Sequence, residues 1–241
     1  MTLNSPNRAL LLAGGYGTRL RPLTDTLPKC LIEVRGKPLL QHWLEKTLGS
    51  GIEKVIVNTH YLPDLVIEFC RNSPWSNRIE LVHENEILGT AGTLRANAGL
   101  LRGHGTFFVA HADNLSVFDM NKFIETHNAR YRECLGTIMT FQTESPRECG
   151  ILALDDLGRV IEVHEKVENP PGNIANAAVF LLEEEVLDWV QDHPEASDFC
   201  RDVVPPLASR WFTFFNDEFH RDIGNPEALK RAENDPYWTI K

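Results

Sequence analysis

The chain has 241 residues, 42% of them hydrophobic and 24% charged, which is the composition of a globular protein able to bury the core of one large α/β domain. A formal charge of −10 speaks against a nucleic-acid surface, which shows a basic stripe, and leaves anion binding to local cations or to metal ions. The apolar runs at 9–13 and 177–182 fall far short of the roughly eighteen residues of a membrane-spanning helix, segment 1–7 has no cationic region of a signal peptide, and five scattered cysteines read as reduced thiols, so a cytoplasmic protein with no nucleic-acid or membrane partner is expected.

In chain order, apolar runs alternate with helix-period segments: a strand over 9–13, a helix over 38–48, a strand over 54–58, a helix over 64–71 and a strand over 79–83. A helix over 91–101, a strand over 106–110 and a helix over 120–130 continue the alternation. This βαβα rhythm predicts a mostly parallel central sheet covered on both faces, with ligands gathering at the carboxyl ends of its strands. The second half is richer in strands, at 135–143, 150–154, 160–165 and 175–182, followed by short helices and a strand over 211–215. Its turns are marked by Asp155-Asp156-Leu157-Gly158 and Asn169-Pro170-Pro171-Gly172. One continuous domain over 1–241 is expected, without repeats or a low-complexity linker.

Directly after the first strand stands Ala13-Gly14-Gly15-Tyr16-Gly17-Thr18-Arg19-Leu20-Arg21-Pro22-Leu23-Thr24, followed by Pro28-Lys29. Glycines let backbone N–H groups approach phosphate oxygens, and Arg19, Arg21 and Lys29 add cationic donors, so the segment reads as a triphosphate cradle. It is not a Walker loop, because Gly17 is followed by Thr18-Arg19 where that motif has Gly-Lys-Ser/Thr. Nor is it a dinucleotide fingerprint, because Leu20 stands where the third glycine belongs.

The run Gly14-Gly15-x-Gly17-Thr18-Arg19-Leu20, with Pro28-Lys29 and Gly36-Lys37-Pro38-Leu39, resembles the signature of sugar-1-phosphate nucleotidyltransferases, the NDP-sugar pyrophosphorylases. That resemblance implies a single-domain, Rossmann-like α/β nucleotidyltransferase fold. A nucleotide-binding core would cover about 8–130, and a sugar-binding part with C-terminal helices about 131–241. It implies that Ala13, Gly14, Gly15, Gly17, Thr18 and Arg19 hold a nucleoside triphosphate, and that Lys29 contacts phosphate and stabilises the transition state. The family contains dimers and tetramers, so a homo-oligomer is compatible with it, although no interface is legible in the apolar pattern.

Asp113, in Ala110-His111-Ala112-Asp113-Asn114, stands at the carboxyl end of a predicted strand, and Asp222 lies in Arg221-Asp222-Ile223-Gly224-Asn225-Pro226. Magnesium takes one or two carboxylates plus substrate phosphates, and the resemblance independently assigns metal binding to aspartates in these two settings. Mg2+ on Asp113 and Asp222 is therefore expected, with Arg19, Lys29 and Asp113 as the catalytic set. His111 reads as a packing or supporting residue, because a sugar phosphate oxygen is already ionised near neutral pH and needs no base to attack phosphorus. Glu165-Lys166 and Asn176-Ala177-Ala178 resemble family segments in which the Glu and Asn bind sugar hydroxyls and the Lys binds the sugar's phosphate, and Gly150 would offer a backbone amide. Val167 replaces a frequent proline and Ala178 a frequent glycine, which leaves the local backbone path open.

The segment Glu84-Asn85-Glu86-Ile87-Leu88-Gly89-Thr90-Ala91-Gly92-Thr93-Leu94 carries glycines that let a flat base lie near the backbone, and its form is similar to guanylyltransferases that make GDP-mannose or GDP-heptose. Guanine presents N1–H and N2–H₂ side by side for a carboxylate, whereas uracil flanks one N–H with two carbonyls that a carboxylate repels. Glu84, Gly89, Thr90 and Ala91 are thus expected at the nucleotide, with GTP and a mannose or heptose 1-phosphate as substrates. The implied chemistry is in-line attack of the sugar phosphate on the α-phosphorus, with pyrophosphate leaving. Uridylyl or cytidylyl transfer to another sugar phosphate, amino-sugar phosphate or phosphocholine is the alternative, and a non-catalytic sugar-nucleotide sensor a more distant one. The chain ends soon after Pro226, so the hexapeptide-repeat β-helix of bifunctional relatives is not expected.

Overall fold

A computed structural model describes residues 5–240. Residues 1–4, part of the N-terminal segment read above, and residue 241 lie outside the described residues. In chain order the elements are β1 (Arg8–Leu12), β2 (Glu33–Val34), β3 (Lys37–Pro38), α1 (Leu39–Gly49), β4 (Lys54–Thr59), α2 (Pro63–Asn72), β5 (Ile79–His83), α3 (Gly89–Ala96) and α4 (Ala98–Leu101). There follow β6 (Phe107–His111), β7 (Asn114–Val117), α5 (Met120–Ala129), β8 (Gly136–Gln142), β9 (Gly150–Leu154), β10 (Val160–Glu165) and β11 (Ile174–Leu182). The chain closes with α6 (Glu185–Asp192), β12 (Trp211–Phe215), β13 (Phe219–Asp222), α7 (Pro226–Glu233) and α8 (Tyr237–Ile240).

Contacts gather these elements into two compact units that interleave along the chain. A ladder unit comprises Met1–Arg8, Leu88–Ala110 and Asp119–Asp217, and a loop unit Ala9–Ile87, His111–Phe118 and Glu218–Lys241.

In the loop unit, β1, β4 and β5 lie side by side, and β4 and β5 run parallel from Val55 opposite Ile79 to Thr59 opposite His83. Ala9, Leu10, Leu11, Val55, Ile56 and Val57 are all fully buried, as expected of strands covered on both faces. The glycine-rich loop leaves the carboxyl end of β1, the end where ligands of parallel sheets bind. β2 and β3 form a two-residue hairpin whose central residues, Arg35 and Gly36, both have positive φ (57° and 71°), the geometry of a tight turn that matches strand twist.

A second two-stranded ladder joins β7 to β13, placing Asp222 opposite Asn114. Beneath it Leu20, Ile32, Val34, Leu39, Leu115, Phe219, Ile223 and Ala232 form one buried cluster. α7 starts on an Asn225 cap that accepts from Ala228 N–H at 2.8 Å, with Pro226 in its first turn.

The ladder unit is built around β11, which pairs antiparallel with β6, β8 and β9, while β9 pairs with β10 and β12 adds to β8 in parallel. The two units together make the mixed α/β class expected. One predicted element splits: the helix expected over 91–101 is α3 followed by α4. The break is at Asn97 (φ −103°, ψ 9°), whose side-chain amide donates to the Thr93 carbonyl at 2.8 Å and competes with helix continuation.

Glu183 closes a polar knot inside the ladder unit, accepting from Thr106 Oγ1 at 2.8 Å, His127 Nε2 at 2.9 Å and Arg130 at 2.6 Å. Burial pushes its carboxyl up, but the bonds from His127 and Thr106 and the charge of Arg130 outweigh that and hold it down at about 2. A folded value below the ordinary 4.5 means that this stabilisation is fully present above that pH and is lost as pH falls through about 2. Its upper bound is about 3 kcal/mol. In urea unfolding across pH, Glu183→Gln is expected to cost most above about pH 5 and progressively less toward pH 2; a cost independent of pH would contradict the assignment.

Candidate active site

Thr24 Oγ1 donates to the carbonyl of Gly17 at 2.8 Å, and Tyr61 OH donates to the carbonyl of Thr24 at 2.8 Å, so the glycine-rich loop is tied back on itself. Gly17 has φ 62°, and a Cβ there would lie 2.9 Å from Thr24 Cγ2 and 3.0 Å from Lys29 Cβ. Only glycine meets both the conformation and the space. Thr18 and Arg19 open a short 3₁₀ turn over Thr18–Leu20. Ala112 N–H donates to the Leu12 carbonyl at 2.9 Å, which sets Asp113 beside the strand end from which the loop departs.

Lys29 is 6% exposed. Its Nζ donates to Asp113 Oδ2 at 2.8 Å and lies 3.5 Å from Asp222 Oδ1, while an Arg19 guanidinium nitrogen stands 3.9 Å from Asp222 Oδ2. Burial disfavours the Lys29 ammonium, but Asp113 and Asp222 outweigh it and hold its pKa above the ordinary value. For Asp113 burial acts upward, and the charges of Lys29 and His111 with the Lys29 hydrogen bond bring it below the ordinary value. All four predicted residues of the phosphate and metal chemistry are therefore assembled, two anions and two cations in one cluster of the loop unit.

The donor set suits a hard divalent cation. Two carboxylates converge on one point, now held by an ammonium, and among the described residues no group of three or more His, Cys, Asp or Glu side chains is arranged to hold a metal ion by itself. Such a site fits an ion that completes its shell with substrate phosphates and water, as magnesium does. His111 Nε2 is buried without a hydrogen-bond partner among the described residues, consistent with a supporting position rather than a satisfied core histidine.

Glu84, at the end of β5, is 7% exposed, and its Oε1 accepts from Asn58 Nδ2 at 3.0 Å. Asn58 Oδ1 in turn accepts from Ala13 N–H at 2.6 Å. Sequence reasoning singled out neither Asn58 nor Thr24; the signal for Asn58 is a polar residue ending the apolar run Val55-Ile56-Val57.

The other predicted contacts lie in the ladder unit, with Gly150, Glu165, Lys166 and Asn176 in one group and Gly89, Thr90 and Ala91 against Ser197 and Phe199. Glu165 is the ladder partner of Gly150, and its carboxylate packs against the Gly150 backbone, where a Cβ would push it aside. Lys166 Nζ is 3.5 Å from Glu165 Oε1, and Lys166 N–H donates to the Cys149 carbonyl at 3.2 Å. Asn176 donates to Cys200 Sγ at 3.6 Å and accepts from Ala178 N–H at 2.8 Å, across a register shift in β11 where Ala178 takes φ 54°. Gly89 has φ 73°, and a Cβ there would collide with the Ser197 carbonyl. Ala91 N–H donates to that carbonyl at 2.9 Å, and Phe199 N–H to Thr90 Oγ1 at 2.7 Å.

The chain is thus an α/β protein in which a glycine loop at a strand end stands beside a buried lysine held between two aspartates. The family model for nucleotidyl transferases matches residues 8–236, and the chain belongs to that family. It is 34% identical over 232 residues to a mannose-1-phosphate guanylyltransferase of Mycobacterium tuberculosis, covering 94% of this chain and 64% of that one. It is 32% identical over 226 residues to mannose-1-phosphate guanylyltransferase 1 of Arabidopsis thaliana, covering 91% and 62%. The chain thus spans somewhat under two thirds of the length of these relatives. A solved Bacillus anthracis structure, assigned as a glucose-1-phosphate thymidylyltransferase and in complex with a sucrose, superposes with a TM-score of 0.80 at 19% identity over 94% of this chain and 93% of that one, a likeness of fold.

Ala178 keeps the left-handed backbone that glycine adopts without strain. Ala178→Gly is expected to stabilise the protein by about 1 kcal/mol, a rise in Tm of roughly 2–4 °C. A fall in Tm on thermal melting would show that the Ala178 methyl contributes packing that outweighs the strain.

Proposed function

We propose that this chain is a sugar-1-phosphate guanylyltransferase of the cytoplasm, transferring GMP from GTP to mannose 1-phosphate with release of pyrophosphate. The observation that carries the reading is Lys29 held between Asp113 and Asp222 beside the glycine-rich loop. GTP and mannose 1-phosphate are favoured by the names of the curated relatives and by the Leu88-Gly89-Thr90-Ala91-Gly92 segment.

In this reading the amides of Gly14 to Thr18 and the Arg19 guanidinium bind the triphosphate, and Lys29 offsets charge that develops on the transferred phosphate. Asp113 and Asp222 would hold magnesium, which would supply positive charge to neutralise the phosphates. Glu84 accepts from the N1–H and N2–H₂ edge of guanine, and Gly89, Thr90 and Ala91 are assigned to nucleotide binding. Gly150, Glu165 and Asn176 bind sugar hydroxyls, and Lys166 the sugar's phosphate. No side chain needs to act as a base, because the attacking phosphate oxygen is already ionised, and catalysis rests on positioning and charge neutralisation.

Lys29→Ala and Asp113→Ala are each expected to lower kcat by about 100-fold or more while the fold is retained by circular dichroism. Near-normal turnover in either variant would remove that residue from the catalytic set. With separate nucleoside triphosphates and mannose 1-phosphate, chromatography of the products is expected to show GDP-mannose formed in preference to the uridine and cytidine analogues. Preference for a pyrimidine triphosphate would keep the transfer chemistry and sink the role given to Glu84.

A further inference from the structure

Asn58 ends the apolar run of β4 and is 4% exposed, yet both polar atoms of its side chain are engaged. Its Oδ1 accepts from Ala13 N–H, the first amide of the glycine-rich loop, at 2.6 Å, and its Nδ2 donates to Glu84 Oε1 at 3.0 Å. A backbone N–H only donates and a carboxylate accepts, so a single orientation of the amide satisfies both neighbours. Gly14 closes the arrangement, since a Cβ there would lie 2.8 Å from Asn58 Nδ2 and force the amide aside.

We infer that Asn58 is a positioning residue that couples the base-reading carboxylate to the phosphate loop, so that a base engaging Glu84 also holds the Ala13–Gly14 backbone in its phosphate-binding geometry. The inference rests on the guanylyl reading of Glu84 given above. The consequence goes beyond it: discrimination between bases appears in kcat and not only in KM, because the right base fixes the loop that orients the reacting phosphates. Buried hydrogen-bonded chains of this kind act as a unit, and breaking one link leaves the next polar group without its partner.

The test compares GTP with inosine triphosphate, which lacks the N2 amine, in pyrophosphate-release assays with mannose 1-phosphate. The unaltered chain is expected to turn over GTP with the higher kcat. Asn58→Ala leaves Glu84 in place, and its kcat with GTP is expected to fall at least tenfold while the GTP-to-inosine-triphosphate kcat ratio collapses toward one. A merely structural asparagine would lower both rates together, so an unchanged ratio in a folded variant overturns the proposal. As a second arm, Asn58→Asp sets two carboxylates against each other. Adding Glu84→Gln restores one donor and one acceptor, and is expected to recover at least tenfold in kcat over Asn58→Asp alone without restoring the preference for guanine. A double variant no more active than Asn58→Asp, both folded by thermal melting, would also overturn it. Failure of the unaltered chain to use either purine triphosphate would instead sink the guanylyl reading, and this inference with it.

Discussion

The candidate site of the loop unit depends on one arrangement, the Lys29 ammonium held between Asp113 and Asp222. A cation 6% exposed has to be paired, and the partners come from positions 84 and 193 residues away along the chain. Bringing Asp222 into place is the work of the β7–β13 ladder, whose register sets it opposite Asn114. The cluster of Leu20, Leu115, Phe219 and Ile223 in turn fixes that ladder against the foot of the glycine-rich loop. Apolar packing therefore positions charges, and the two carboxylates form a donor set that suits a divalent cation.

Much of this was legible in the sequence. The parallel strands of the loop unit announce themselves as continuous apolar runs, and the glycine-rich loop as a cluster of residues that no regular element accommodates. The β7–β13 ladder was not legible: its strands, Asn-Leu-Ser-Val and Phe-His-Arg-Asp, are short and largely polar, and their pairing is decided by the tertiary cluster beneath them. Asp113 and Asp222 could be named as partners from their family-like settings, but the element that joins them could not. The break at Asn97 escaped for a related reason, since its neighbours keep helical periodicity and the side-chain bond that interrupts the helix is a local competitor.

On the ladder side, two departures from the family pattern proved separable. The residue where glycine is frequent, Ala178, keeps a left-handed backbone, so the bend of β11 that orients Asn176 survives the substitution as strain. Lys166, which precedes the missing proline at Val167, also takes positive φ (50°), and its amide is tied to the Cys149 carbonyl. Glu165 is partly buried against Gly150, while Lys166 beside it is exposed. Glu84 likewise proved buried and hydrogen-bonded, a property that depends on which strand lies beside β5 and that no pattern within its own segment discloses.

The most direct test concerns Asp222, the proposed ligand that the β7–β13 ladder positions. Pyrophosphate release from GTP and mannose 1-phosphate would be followed against magnesium concentration for the unaltered chain and for Asp222→Asn. If Asp113 and Asp222 hold the metal together, the unaltered chain shows saturable dependence on magnesium, and the variant needs at least tenfold more magnesium and reaches a lower kcat. The same half-saturating concentration in both would contradict a metal site built on the pair that Lys29 holds.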